Sequence, residues 1–333
     1  MSTVDSTTPN AEGKAPEGRR LRLDPVALAQ SFGIYAVLVV IVIVAQIVYS
    51  GFLSWDNIKL LLSQNAPLGI VAVGMTLVII GGGFDLSVGA IFAVSGTVAA
   101  MIGTHHGVLE GYLVGMAAGV VCGLINAIVI TRFRVNPFVA TLGSSSLFSG
   151  VILLISDTNP FYVEKSSFTW LGQTKLFDMA LPMLLLIAVF AVGWVVLNRS
   201  IYGRRVLAVG GNPEASRLAG IRTDVVQGGT YVLSGLLAAF AGAISASQLG
   251  VGQGTVGSTL ALQSIAVVVI GGTSLAGGEG SISRTAVGLL ILATLDNIFF
   301  SLAIDTNWQS ISQGVIVIGA VALDQLFRRM RTA

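Results

Sequence analysis

Side chains that could do chemistry are few in this chain, and most stand alone. The run Gly81-Gly82-Gly83-Phe84-Asp85-Leu86-Ser87-Val88-Gly89 sets a carboxylate and a hydroxyl two residues apart between two apolar stretches. Asn136 and Thr141 lie in the run Asn136–Gly143, and Asp296-Asn297 interrupt the apolar run Leu292–Phe300. Polar groups in apolar helices seldom face lipid. Each of these six residues therefore either caps a helix or bonds between helices, or it lines or gates a polar path.

Other strings have the look of chemistry without its requirements. Gly252, Gly254 and Gly257 match G-x-G-x-x-G. A dinucleotide fingerprint needs a strand before it and a helix after it, and here the string lies between apolar runs. Gly272 and Gly277 have phosphate-loop spacing, but Gly278 stands where the lysine must be. His105 and His106 are adjacent in a short loop with no Cys or acidic cluster beside them, so they make a poor metal site. There is no H-E-x-x-H and no Ser/His/Asp set. The single cysteine, Cys122, sits in an apolar stretch and allows no internal disulfide.

The elements that hold these residues are apolar helices. Of the 333 residues, 54% are hydrophobic and 10% charged, with mean hydropathy +0.86. A soluble domain carries roughly 25% charge, so the composition excludes a soluble enzyme and points to an all-α, polytopic membrane protein. The net charge of +2 gives no reason to expect nucleic acid.

Residues 1–27 read as a disordered polar tail. Spans are expected at about 34–50, 59–80, 86–102, 108–130, 138–156, 179–197, 228–248, 258–271, 284–303 and 309–326. The eighth is shorter than the ~20 residues a crossing needs, so it is tilted, broken or re-entrant. No loop is long enough to fold alone. Residues 28–327 thus form one membrane domain, followed by a basic end at 328–333.

With the N-terminus inside and ten spans, 15 of the 18 Lys and Arg residues fall inside, and only Lys59, Lys165 and Lys175 fall outside. That follows the positive-inside rule and puts both termini in the cytoplasm. Gly111, Gly115, Gly119 and Gly123 recur every four residues, which predicts close contact with another helix.

The longest inner loop, 198–227, contains a short helix with clear punctuation, expected over about 213–219. Asn212 suits the N-cap and Pro213 the first position. Glu214 meets the positive end of the helix dipole, and Gly220 supplies the stop. Ala215, Leu218 and Ala219 form a narrow apolar stripe. So short a helix is not stable alone in water. It packs either on its own membrane helices or on a cytoplasmic partner, and its charged flanks favour the partner.

At these residues the chain resembles the permease subunits of ribose-type ABC sugar importers, which also handle xylose, arabinose and galactosides. GGGFDLSVGA at 81–90, NPFVATLG at 136–143, GRRVLAVGGNPEASRLAGI at 203–221 and GGTSLAGGEGSI at 271–282 resemble four family motifs in order. The resemblance implies a permease of about ten helices in the bacterial inner membrane, assembled as a dimer with itself or a related chain. It implies cytoplasmic subunits that bind ATP and Mg, with no cofactor in this chain, and an extracytoplasmic binding protein that delivers the sugar.

By the same resemblance, Asn212–Ile221 is the coupling helix, with Asn212, Pro213, Glu214, Ala215, Arg217, Leu218 and Gly220 at the ATPase contact. Two departures stand out. Phe84 replaces a smaller Ile, and Asp296 stands where an Asn is common. Branched-chain amino acid permeases are distant relatives with similar coupling loops, but Asp-Leu-Ser-Val-Gly resembles the sugar branch more closely. An ion-coupled carrier would be helped by more intramembrane acids than are present. A membrane-embedded enzyme would need a catalytic cluster, and none is visible.

Overall fold

A computed structural model describes residues 25–305 and scattered positions between 307 and 322. The helices are α1 (Pro25–Val48), α2 (Trp55–Gln64), α3 (Ala66–Ile80), α4 (Val88–His105), α5 (Val108–Thr131) and α6 (Pro137–Ile155). They continue with α7 (Trp170–Gln173), α8 (Leu181–Arg199), α9 (Ile201–Gly211), α10 (Pro213–Leu218), α11 (Thr223–Leu249), α12 (Leu260–Ile270) and α13 (Ile282–Ser301). Two two-residue pairings complete it. β1 (Phe161–Tyr162) pairs antiparallel with β4 (Val251–Gly252), and β2 (Lys175–Leu176) pairs with β3 (Met179–Ala180).

Each of the first nine apolar intervals holds a helix. By length and composition six helices can cross a membrane, namely α4, α5, α6, α8, α11 and α13, or seven if α2 and α3 count as one. The helix α12 has only 11 residues, so the eighth interval is short as expected. Much of the tenth interval, most of the N-terminal tail and the basic C-terminus fall outside the described residues. α1 begins at Pro25, nine residues before the expected start at 34 and three within the expected tail.

The second interval is not one straight helix. It breaks at Asn65, and its halves meet at 54°. The cause is Pro67, which has no N–H to give the carbonyl of Ser63 four residues back. The side-chain amide of Gln248 on α11 donates to that oxygen at 3.0 Å instead.

α3 is the axis of the molecule, with every residue from Ala66 to Ile80 buried. Around it stand α8, α11, α12 and α13. Its few polar atoms are partnered from within, as where the hydroxyls of Thr76 and Thr285 meet at 2.9 Å. The glycine repeat on α5 lets two neighbours approach. Gly111 and Gly115 lie on Ala99, Gly103 and Ser95 of α4, and Gly119 and Gly123 lie on Tyr231, Gly235 and Ala239 of α11. All four are buried. With no side chain to hold the backbones apart, these three helices pack closely.

The connections gather at two ends. At one end lie the turn 81–87, the α9–α10 segment and the loop 271–281. At the other lie β1–β4, α7 and the β2–β3 hairpin. There Lys165 Nζ donates to the carbonyls of Gly103 and His106 at 2.8 and 2.7 Å, and Lys59 pairs with Asp178 at 2.6 Å.

Candidate coupling helix and polar turn

Two clusters at the α9–α10 end carry the residues singled out from the sequence. The first is α10. Asn212 serves two helices. Its N–H donates to Ala208 O at 3.0 Å, closing α9, and its side-chain oxygen accepts from Ala215 N–H at 2.9 Å, opening α10. Pro213 follows in the first turn. The carboxylate of Glu214 accepts two bonds from Arg217 Nη2, both 2.8 Å.

The helix closes one residue earlier than expected, at Leu218. The Ile221 N–H donates to Ser216 O and the Gly220 N–H to Arg217 O, each at 3.0 Å. This is a Schellman closure, and Gly220 takes the left-handed φ of +82° that it requires. Ser216 is buried against the protein, whereas Ala215, Leu218 and Ala219 face outward and Leu218 is 81% exposed. The apolar stripe therefore does not pack on the chain's own membrane helices.

The segment before α10 was expected to be loop up to Asn212, but residues 201–211 form α9. The helix is opened by Ser200, whose Oγ accepts from Gly203 N–H at 2.9 Å. Val206, Val209 and Gly210 are buried on its inner side, with Arg204 and Arg205 exposed on the other. The signal was present in that spacing, but Gly203, Gly210 and Gly211 masked it, because glycine usually breaks a helix.

The second cluster is the turn between α3 and α4. Asp85 is fully buried, and a buried carboxylate must be met by donors. Its Oδ1 accepts from the Ser87 N–H at 3.1 Å and the Ser87 hydroxyl at 2.5 Å, and its Oδ2 from the Ser234 hydroxyl at 2.8 Å. Asn126 Nδ2 donates to Ser87 Oγ at 2.7 Å. The carbonyl of Phe84 accepts from the Tyr231 hydroxyl at 3.3 Å and lies 3.4 Å from Thr141 Oγ1, which bonds more closely to Pro137 O at 2.8 Å. Asp85 thus binds its own turn and α11 rather than the α4 backbone beyond Ser87.

The structure brings Asp85, Ser87 and Thr141 together. Asn136 stands at the start of the same helix as Thr141, exposed, and caps it by accepting from Phe138 N–H at 3.0 Å. Asn297 lies elsewhere. It exchanges amide bonds with Asn57 at 3.1 and 3.4 Å, tying α13 to α2, and Asp296 sits half-buried beside it. Sequence reasoning missed Ser234, Asn126 and Tyr231, although the first two are isolated polar residues in apolar helices and met the same criterion. Among the described residues no three His, Cys, Asp or Glu side chains converge on a point that could hold a metal.

Residues 57–321 match the family described as the permease component of the branched-chain amino acid transport system. The chain belongs to that permease family. It is 38% identical over 312 residues to the ribose import permease of Bacillus subtilis (strain 168), covering 93% of this chain and 96% of that one. It is 36% identical over 301 residues to the L-arabinose transport system permease of Escherichia coli (strain K12), covering 88% and 90%. It is 34% identical over 302 residues to an L-arabinose ABC transporter permease of Azospirillum brasilense, covering 90% and 89%. No solved structure matches the chain. As a member of this permease family with at least six apolar helices, it is a multi-pass membrane protein.

Proposed function

We propose that this permease is the membrane subunit of an ATP-driven importer for a monosaccharide or similar polyol. α10 is the helix through which cytoplasmic ATPase subunits drive it. The observation that carries this reading is the outward stripe of Ala215, Leu218 and Ala219 on a helix capped at both ends. A rigid exposed apolar stripe is what a partner groove needs, and leaving it in water has no structural return. The sugar class follows the ribose and arabinose permeases above, which align over most of both chains.

The chain has ten spans and lies in the bacterial inner membrane, with both termini and the α10 end cytoplasmic. The exposed Arg204, Arg205, Arg217 and Arg222 at that end agree with this orientation. A second copy or related chain completes the path, partner subunits bind ATP and Mg, and an extracytoplasmic protein delivers the sugar. Asp85, Ser87, Asn136 and Thr141 gate the inner end of the path, and Asp296 and Asn297 border it along α13.

Co-purification tests the reading. The tagged native chain, extracted gently from its membrane, retains an ATP-hydrolysing subunit. The variant carrying Glu214→Lys and Leu218→Asp loses it. If the native chain brings no such subunit while other transporter complexes survive, the reading fails. The family description supplies a second reading, a branched-chain amino acid as cargo. Competition of labelled ribose uptake by unlabelled arabinose or leucine separates the two.

A further inference from the structure

Gly210 and Gly211 end α9 one residue before Asn212, and they lie against two distant turns. A Cβ on Gly210 would fall on the carbonyl oxygen of Ile80 and within 2.8 Å of the Gly278 amide nitrogen. A Cβ on Gly278 would lie 2.5 Å from Gly211 Cα. A Cβ on Gly277 would lie 2.9 Å from Gly210 O and 3.0 Å from Gly82 Cα. The Gly278 N–H donates to Ile80 O at 2.9 Å. Three backbones therefore touch with no side chain between them: the end of α9, the α3–α4 turn and the α12–α13 loop.

Side chains would make such a contact compliant, because rotamers absorb small shifts. Backbone on backbone does not yield in that way. The α3–α4 turn is in turn fastened to three further helices. Asp85 holds Ser234 of α11, Ser87 holds Asn126 of α5, and Phe84 O takes the Tyr231 hydroxyl of α11 and faces Thr141 of α6.

We infer that this glycine junction and the turn Gly81–Ser87 form the linkage by which displacement of α10 reaches α5, α6 and α11, with Asp85 as the positioning residue that grips the far side. The inference rests on the reading of α10 as the ATPase-driven helix. Asn212, shared by α9 and α10, makes the two helices move as one piece. That piece pushes directly on Ile80–Gly82 and Gly277–Gly278.

Hydrogen exchange on the complex purified from its native membrane tests this without any substitution. Peptides are compared with and without a non-hydrolysable ATP analogue. The expected result is a change in amide protection at 212–221 together with changes at 81–87 and 277–280. A change at 212–221 with none at the two turns overturns the linkage and leaves the function intact. No change at 212–221 overturns both.

A matched pair of variants adds a functional readout. Gly272 and Gly277 have similar left-handed φ, +71° and +84°, so alanine strains both equally. A Cβ at Gly272 meets nothing within 4 Å. Gly277→Ala is expected to lower uptake roughly tenfold, within the usual range of a coupling free energy, while the bound ATPase still hydrolyses ATP. Gly272→Ala stays near the native rate. Equal uptake by the two assembled variants overturns the linkage.

Discussion

Gln248 donates its side-chain amide to the carbonyl oxygen of Ser63 at 3.0 Å, filling the place that Pro67 leaves empty. The bend between α2 and α3 and the register of α11 are therefore tied together. Gln248→Leu removes one of the two bonds to that carbonyl, leaving the backbone N–H at the end of α2, and is expected to cost about 1 kcal/mol, read as a lower melting temperature in detergent. In a Pro67→Ala background the backbone can supply the missing donor. The same Gln248→Leu change is then expected to cost measurably less, and equal costs in both backgrounds would show the bond to be incidental.

Removing Asp85 leaves the hydroxyls of Ser87 and Ser234 buried without their acceptor. Asp85→Ala is expected to destabilise the protein by about 3 kcal/mol, and Ser234→Ala, which takes away one bond to the carboxylate, by about 1.5–3 kcal/mol. Chemical denaturation of both variants in one detergent checks the order. A neutral Asp85→Ala would mean that water replaces the network.

The glycines of α5 and α6 are expected to behave oppositely. A Cβ on Gly115 would stand 2.6 Å from Ser95 O, whereas one on Gly150 meets nothing within 4 Å. Gly115→Ala pushes α4 and α5 apart and lowers stability. Gly150→Ala is neutral or adds about 0.5–1 kcal/mol through helix propensity. Thermal melts of the two single variants make the comparison.

The β2–β3 hairpin gives a small pH dependence with a defined sign. The Lys59 ammonium beside Asp178 holds that carboxyl below its ordinary value. Stability from the pair is thus present above the ordinary aspartate range, about pH 3.9, and fades as pH falls through the lower folded value. Asp178 is exposed, so salt weakens the pair. Proteolysis of the hairpin at neutral and acid pH, in low and high salt, reads the effect. Lys59→Met is expected to remove most of the pH dependence, with the weaker pull of Lys175 remaining.

The helices were legible because apolar runs and their polar boundaries are written locally. The caps of α10 were legible for the same reason, since Asn212, Pro213 and Gly220 act on neighbours within a few residues. The break at Asn65 has a local cause in Pro67 that the continuous apolar run concealed, and the support it draws from Gln248 is written far away in the chain. Asp85 and Ser87 were found as polar oddities, but their partners Ser234 and Asn126 come from other helices, and no spacing rule joins them. The glycines of α9 misled for a related reason. Glycine lowers helix propensity locally, and only close backbone approaches, of Ile80 and Gly278 to Gly210 and of Leu197 to Gly203, explain its presence there.

The complete burial of α3 bears on how the protein is made. Residues 66–80 leave the ribosome well before α8, α11, α12 and α13, the helices that will enclose them. Until those arrive, α3 must reside in the membrane with lipid on every side that protein will later cover. Its near-total apolarity therefore suits a temporary address as well as its final one. In the finished molecule a hydroxyl such as Thr76 is well housed, while each further polar residue on α3 would have to survive the interval before its partner was synthesised.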